Sequence, residues 1–152
     1  MVTMEQAKYA LQEIRNISFY RNQIKQIDIK LKNISDRMMY LSSPKSPNGG
    51  TDITINGVSM RVKVSGNPMP KETVLNDLIS VEMMLDKKRY EWIVRLAKAK
   101  EYREELLANT DEPEFVRDSL EGMRYRELEE KYNMRNAYDH MLRLIKNGLR
   151  EV

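Results

Sequence analysis

Between Thr3 and Leu41, apolar residues recur at three- and four-residue steps: Ala7, Ala10, Ile14, Ile17, Tyr20, Ile24, Ile27, Leu31, Ile34, Met38 and Leu41. Such steps place every one of them on one side of an α-helix, and from Tyr20 onward they form a heptad seam. Thr3 and Gln6 have the spacing of a capping box, and no Gly or Pro intervenes before Pro44. The pattern predicts one helix of about 39 residues, roughly 58 Å long. Its single irregularity is the pair of three-residue steps that meet at Ile17. A second stripe follows Pro70: Val74, Leu78, Val81, Leu85, Trp92, Leu96, Ala99, Tyr102 and Leu106, with Lys88 filling one slot. It predicts a second helix over 71–109. Stripes this long need partners of equal length, so the expected arrangement is an antiparallel hairpin with Trp92 packed near Tyr20. Met39, Ile79, Met83, Met84 and Ile93 are left outside that seam, and a homodimer of two hairpins would cover them.

Between the stripes the period changes to two. Asn56-Gly57 separates alternating runs, a strong signal for a two-residue β-turn. It pairs Ile55 with Val58, Ile53 with Met60, Thr51 with Val62 and Asp52 with Arg61. An isolated ribbon is marginal in water, so it is expected to cover the bend between the helices, or to touch a partner protein or DNA through Lys45, Arg61 and Lys63.

After Asn109-Thr110-Asp111, which are helix-capping residue types, Pro113 opens a new helix carrying Phe115, Val116 and Leu120. Gly122 suits a left-handed cap, a short helix near 125–131 turns Tyr125 and Leu128 inward, and Asn133 suits a reversal with positive φ. A last helix from about Arg135 to Leu149 carries Tyr138, Met141, Leu142 and Ile145 on one side. This succession is the anatomy of a helix-turn-helix. The expected fold class is therefore mainly all-α: a helical hairpin with a β-ribbon insertion at about 51–64 (domain 1–109), then a helix-turn-helix domain (110–152).

Composition narrows the chemistry. The chain has no Cys, so it holds no disulfide framework or thiolate nucleophile. The N-terminus lacks a basic start followed by an apolar core, and no apolar run is long enough to span a bilayer. A cytoplasmic location, in a bacterial host cell, is expected, with no membrane partner. His140, the single His, has no companion ligands and no nucleophile partner, and its expected place is an exposed helix surface. Paired carboxylates in "RELEEK" and "KEYREEL" read as helical charge pairs, and no phosphate-binding glycine loop is present. Neither an enzyme, a cofactor, a metal nor a small-molecule substrate is expected. The net charge of +3 is uneven: residues 1–41 carry +3 and residues 111–152 carry −2.

The stretch "LEGMRYRELEEKYNM" resembles the L-x-G-x-S-Y-x-E-I-A-x-x-L-G-I pattern of sigma-factor region-four helix-turn-helices, with Glu129 and Asn133 standing where the pattern has a small residue and Gly, and with Arg135, just beyond it, in place of the Ser that opens the recognition helix. The order of elements resembles phage late-transcription regulators of the RinA and ArpU types. The resemblance implies a dimeric, sequence-specific regulator that binds double-stranded DNA and works beside RNA polymerase. In such a unit the last helix enters the major groove. The resemblance then sets Arg135, Asn136 and Asp139 against base edges with His140 close by, Arg143 and Lys146 nearer phosphates, and Arg124 and Arg126 on the backbone. Two other readings stand beside it. One is a small terminase-like packaging protein, which usually carries its DNA-binding element first. The other is a helical adaptor that binds no DNA, in which the same polar residues are a solvated helix face.

Overall fold

The computed structural model describes residues 1–42, 51–55, 58–62 and 70–152. Among these the chain is mainly helical, in the order α1 (Met4–Arg15), α2 (Ile17–Leu41), β1 (Thr51–Ile55), β2 (Val58–Val62), α3 (Lys71–Asn109), α4 (Pro113–Leu120), α5 (Tyr125–Lys131) and α6 (Ala137–Gly148). Two compact units result: residues 1–21 with 94–152, and residues 22–93. The boundary expected between residues 109 and 110 thus falls inside the first unit. The reason is that α1 packs against α6, so the two ends of the chain share one core.

The capping box at the start of α1 forms as its residue types require: Gln6 N donates to Thr3 Oγ1 at 3.2 Å, and Thr3 N donates to Gln6 Oε1 at 2.9 Å. The single long helix expected from there to Leu41 is instead two. Asn16 leaves helical geometry, with φ −87° and ψ 4°. The break lies next to Ile17, where the apolar steps are irregular. Asn is a weak helix former because its side chain competes for nearby polar groups.

In the first unit, Ala7, Ala10, Leu11 and Ile14 of α1 are buried together with Ala99, Tyr102 and Leu106 of α3 and Met141, Leu142 and Ile145 of α6. Most of these positions belong to the stripes the sequence predicts. Leu11 does not, and neither does a charged residue buried with them, Glu13, which is only 4 % exposed. Its carboxylate accepts from Tyr20 Oη at 2.7 Å and from Arg95 Nη2 at 2.9 Å, and Arg95 also stacks on the Tyr20 ring at 5.0 Å. A buried carboxylate is tolerated only when its oxygens are bonded in this way.

Burial first, and then the bond to Glu13, raise the Tyr20 hydroxyl above its ordinary pKa near 10.0. Burial also raises Tyr102 and Tyr125. In each case the folded state holds the proton more tightly than the unfolded chain does. The resulting stability is full below pH 10 and is lost as pH rises past it. The urea midpoint should therefore stay level to about pH 10 and fall beyond, in step with tyrosinate absorbance. Tyr20→Phe should cost about 1–2 kcal/mol at neutral pH, by removing one bond to a buried carboxylate, and should soften the alkaline fall.

In the second unit, Ile27 and Ile34 of α2 and Leu78 of α3 are buried, while Trp92 is half-buried. Arg89 Nε of α3 donates to Asp28 Oδ1 of α2 at 2.6 Å. The strands pair antiparallel, with Thr51 opposite Val62, Asp52 opposite Arg61 and Ile55 opposite Val58. The turn expected at Asn56-Gly57, together with Lys45 and Lys63, lies outside the described residues.

Candidate nucleic-acid interface

The α4–α5–α6 segment is organised around Phe115, which is 1 % exposed. Its ring meets Tyr132 edge-on with centroids 5.4 Å apart, and meets His140 likewise at 5.0 Å. Val116, Leu128, Ala137 and Met141 are fully buried in the same unit. Polar groups lock the periphery. Asp118 Oδ2 of α4 accepts from Lys131 Nζ at 2.7 Å and from Tyr132 Oη at 2.5 Å, and these two bonds hold its carboxyl below the usual carboxylate range. His140 Nε2 lies 2.5 Å from Glu112 Oε2; a carboxylate can only accept, so this nitrogen carries the hydrogen.

The turns have the geometry their residues favour. Gly122 has φ 99° and Asn133 has φ 50°, so both expected reversals sit in the left-handed region. A third residue with positive φ, Asn136 at 54°, is one for which the sequence suggests only a base-contacting role. Asn is among the residues that tolerate this conformation, and the "NMRN" spacing was the available signal. As a result α6 begins at Ala137 rather than near Arg135. The start of α4 also differs from expectation. Its N-cap is Glu112, without a side-chain cap bond, and Pro113 occupies the first turn. Asn109, expected to help cap α4, instead donates from Nδ2 to the Gly148 carbonyl at 2.9 Å, tying the end of α3 to the end of α6. A side chain at Gly148 would be crowded: an added Cβ would stand 3.0 Å from Leu106 Cδ1, which would have to shift by a few tenths of an ångström.

Against this frame the expected contact residues separate into two groups. Arg124, Arg126, Arg135, Asn136, Asp139 and Arg143 are exposed, and Lys146 is half-buried. Asp139, Arg143 and Lys146 follow one another at four and three residues, so they share one side of α6, and Asn136 stands just before the helix as its N-cap. The Asn136 side chain makes no capping bond. Among the described residues, none of the five basic side chains in this group forms an ion pair. Asp139 lies in the first turn of α6, where a negative charge complements the helix dipole. His140 forms the other group. It is half-buried against Phe115 and bonded to Glu112, not at an exposed helix surface as expected. The spacing of His140 from Phe115 and Glu112 in the chain gave no sign of this contact.

Among the described residues no cluster of three His, Cys, Asp or Glu side chains is placed to hold a metal, and no helix is long and apolar enough to cross a membrane. Compared with known proteins, the chain matches no family profile, no curated protein and no solved structure.

Proposed function

We propose that the chain is a DNA-binding transcription regulator of the phage late-gene type, with α4–α6 as a sigma-like helix-turn-helix and α6 as its reading helix. The observation that carries this reading is the set of exposed polar side chains at and just before the start of α6, Arg135, Asn136, Asp139 and Arg143, of which the basic ones form no ion pair among the described residues, with α6 packed against buried Phe115 through His140. Asn and Arg are the side chains that read adenine and guanine by paired hydrogen bonds. From Arg135 to Arg150 there are four basic residues and one acidic one, so this stretch is cationic although residues 111–152 sum to −2. Phosphate attraction acts within a Debye length of about 8 Å, which lets a local cationic strip act inside a near-neutral module. Arg124 and Arg126 add backbone contacts, and His140 braces α6.

In this reading α2 and α3 form a long antiparallel hairpin that dimerises, with the β1–β2 ribbon covering its bend. Met39, Ile79, Met83 and Met84 support the dimer, being exposed apolar side chains on the same two helices. Two copies present two reading helices to paired half-sites and multiply a weak single contact through effective concentration. RNA polymerase is the further partner of such a regulator. Light scattering should give twice the 18.0 kDa chain mass, and replacing Met83 and Met84 together by Lys should return it to the monomer value. An assembly of eight or more subunits would favour the packaging reading instead.

Titration of the full chain with duplex DNA over a salt series tests the central claim. The expected result is affinity that falls linearly with salt on logarithmic axes. A response independent of salt would leave the adaptor reading in its place.

A further inference from the structure

In the first unit, a cavity of about 460 Å³ is bordered by four arginines, Arg15, Arg21, Arg103 and Arg124, and by no acidic side chain. A smaller hollow of about 340 Å³ shares Arg21 and Arg103 with it and adds Lys100 and one acid, Glu104. Like charges gathered without counter-charges repel one another, so such a cluster favours an anion from outside. Arg15 is already oriented: it donates from Nη2 to the Tyr125 hydroxyl, and its guanidinium stacks on that ring at 5.0 Å. Arg21, Arg103 and Arg124 form no ion pair among the described residues.

A separate observation points the same way. Ser119 lines this cavity, is 2 % exposed, and its hydroxyl has no hydrogen-bond partner among the described residues. Buried hydroxyls are almost always bonded, and an orphan calls for an explanation. A ligand oxygen in the cavity would supply the missing partner.

We infer that this cavity binds a phosphate group, held by the arginine cluster and the Ser119 hydroxyl. Guanidinium forks match phosphate oxygens in geometry as well as charge, and the volume suits a ligand as large as a mononucleotide. The group has two possible carriers, a free phosphorylated small molecule or the backbone of bound DNA. Only the second rests on the function proposed above.

The test is calorimetric titration of the full chain with inorganic phosphate, with adenosine 5′-monophosphate and with adenosine, in wild type, Arg103→Gln and Ser119→Ala. Saturable binding of the two phosphate compounds, none of adenosine, and about a tenfold or greater loss in Arg103→Gln assign a small-molecule carrier. Ser119→Ala should weaken binding while leaving the urea midpoint level or higher, since it removes an unpartnered hydroxyl. Without small-molecule binding, a loss of duplex affinity in Arg103→Gln with a salt slope shallower by about one assigns the carrier to DNA. The site is refuted if neither phosphate compound binds and Arg103→Gln leaves duplex affinity unchanged. Replacing Arg135 and Asn136, which precede α6, together with Arg143 on it separates the two claims, because that variant should retain any small-molecule binding while losing duplex binding.

Discussion

Arg135→Ala, Asn136→Ala and Arg143→Ala, combined in one chain, should reduce specific duplex affinity by a factor of about a thousand or more. On the proposed reading Arg135 and Asn136 face bases, where each such side chain contributes about 1–3 kcal/mol of discrimination, and the loss of an Arg143 phosphate contact adds to these. Since 1.4 kcal/mol is about a tenfold change, three modest contributions reach that size. The single changes should differ in kind. Arg143→Ala, which on the proposed reading removes a phosphate contact, should weaken all sequences alike and shallow the salt slope by about one. Asn136→Ala should relax preference at one base pair and leave the slope in place. Arg135 and Arg143 are exposed, so their replacement should hardly move the urea midpoint, whereas Asn136 holds φ 54°, which Ala adopts less readily than Asn, so Asn136→Ala should lower the midpoint by an amount worth about 1 kcal/mol. If the triple variant binds duplex as wild type does, across the whole salt series, the α6 reading is lost.

Phe115→Ala should have the largest effect on stability, about 3–5 kcal/mol. The ring is 1 % exposed and is met edge-on by both Tyr132 and His140, so its removal leaves a cavity where α4, α5 and α6 converge. Edge-to-face aromatic contacts add to the burial. His140→Ala is the informative comparison. It removes one of those contacts and the bond to Glu112 but leaves Phe115 in place, and its cost should be the smaller. Duplex affinity should fall in both variants even though neither residue faces outward, since the reading helix loses the support that fixes its direction. A Phe115→Ala chain with an unchanged urea midpoint would show that the three helices do not depend on this ring.

Phe115 and Gly122 were legible from the chain alone, while His140 and Glu13 were not, and the difference is physical. An apolar residue at helical spacing announces its own burial, and a Gly after the last apolar position announces its own backbone geometry. A buried polar residue is intelligible only through its partner. Glu13 looks like one more solvated charge until Arg95 and Tyr20 are brought to it, and Arg95 stands 82 positions away. His140 and Glu112 are 28 positions apart, with nothing in the intervening sequence to couple them. The Asn16 break was half legible. The irregular apolar steps around Ile17 marked the place, but a seam that otherwise continues gave no reason to end the helix there.

By itself the sequence determined which segments are helical, which face of each is apolar, and where Gly122 and Asn133 reverse the chain. Those are local properties, set by side-chain period and backbone preference within a few residues. Only tertiary structure decided that α1 shares a core with α6, so that the first and last helices belong to one unit and a boundary after Asn109 does not divide them. An apolar stripe specifies that it will be covered without naming what covers it. The same limit hid the arginine-lined cavity, whose residues come from α1, α2, α3, the end of α4, the turn after it and the start of α5, and meet only when the chain has folded.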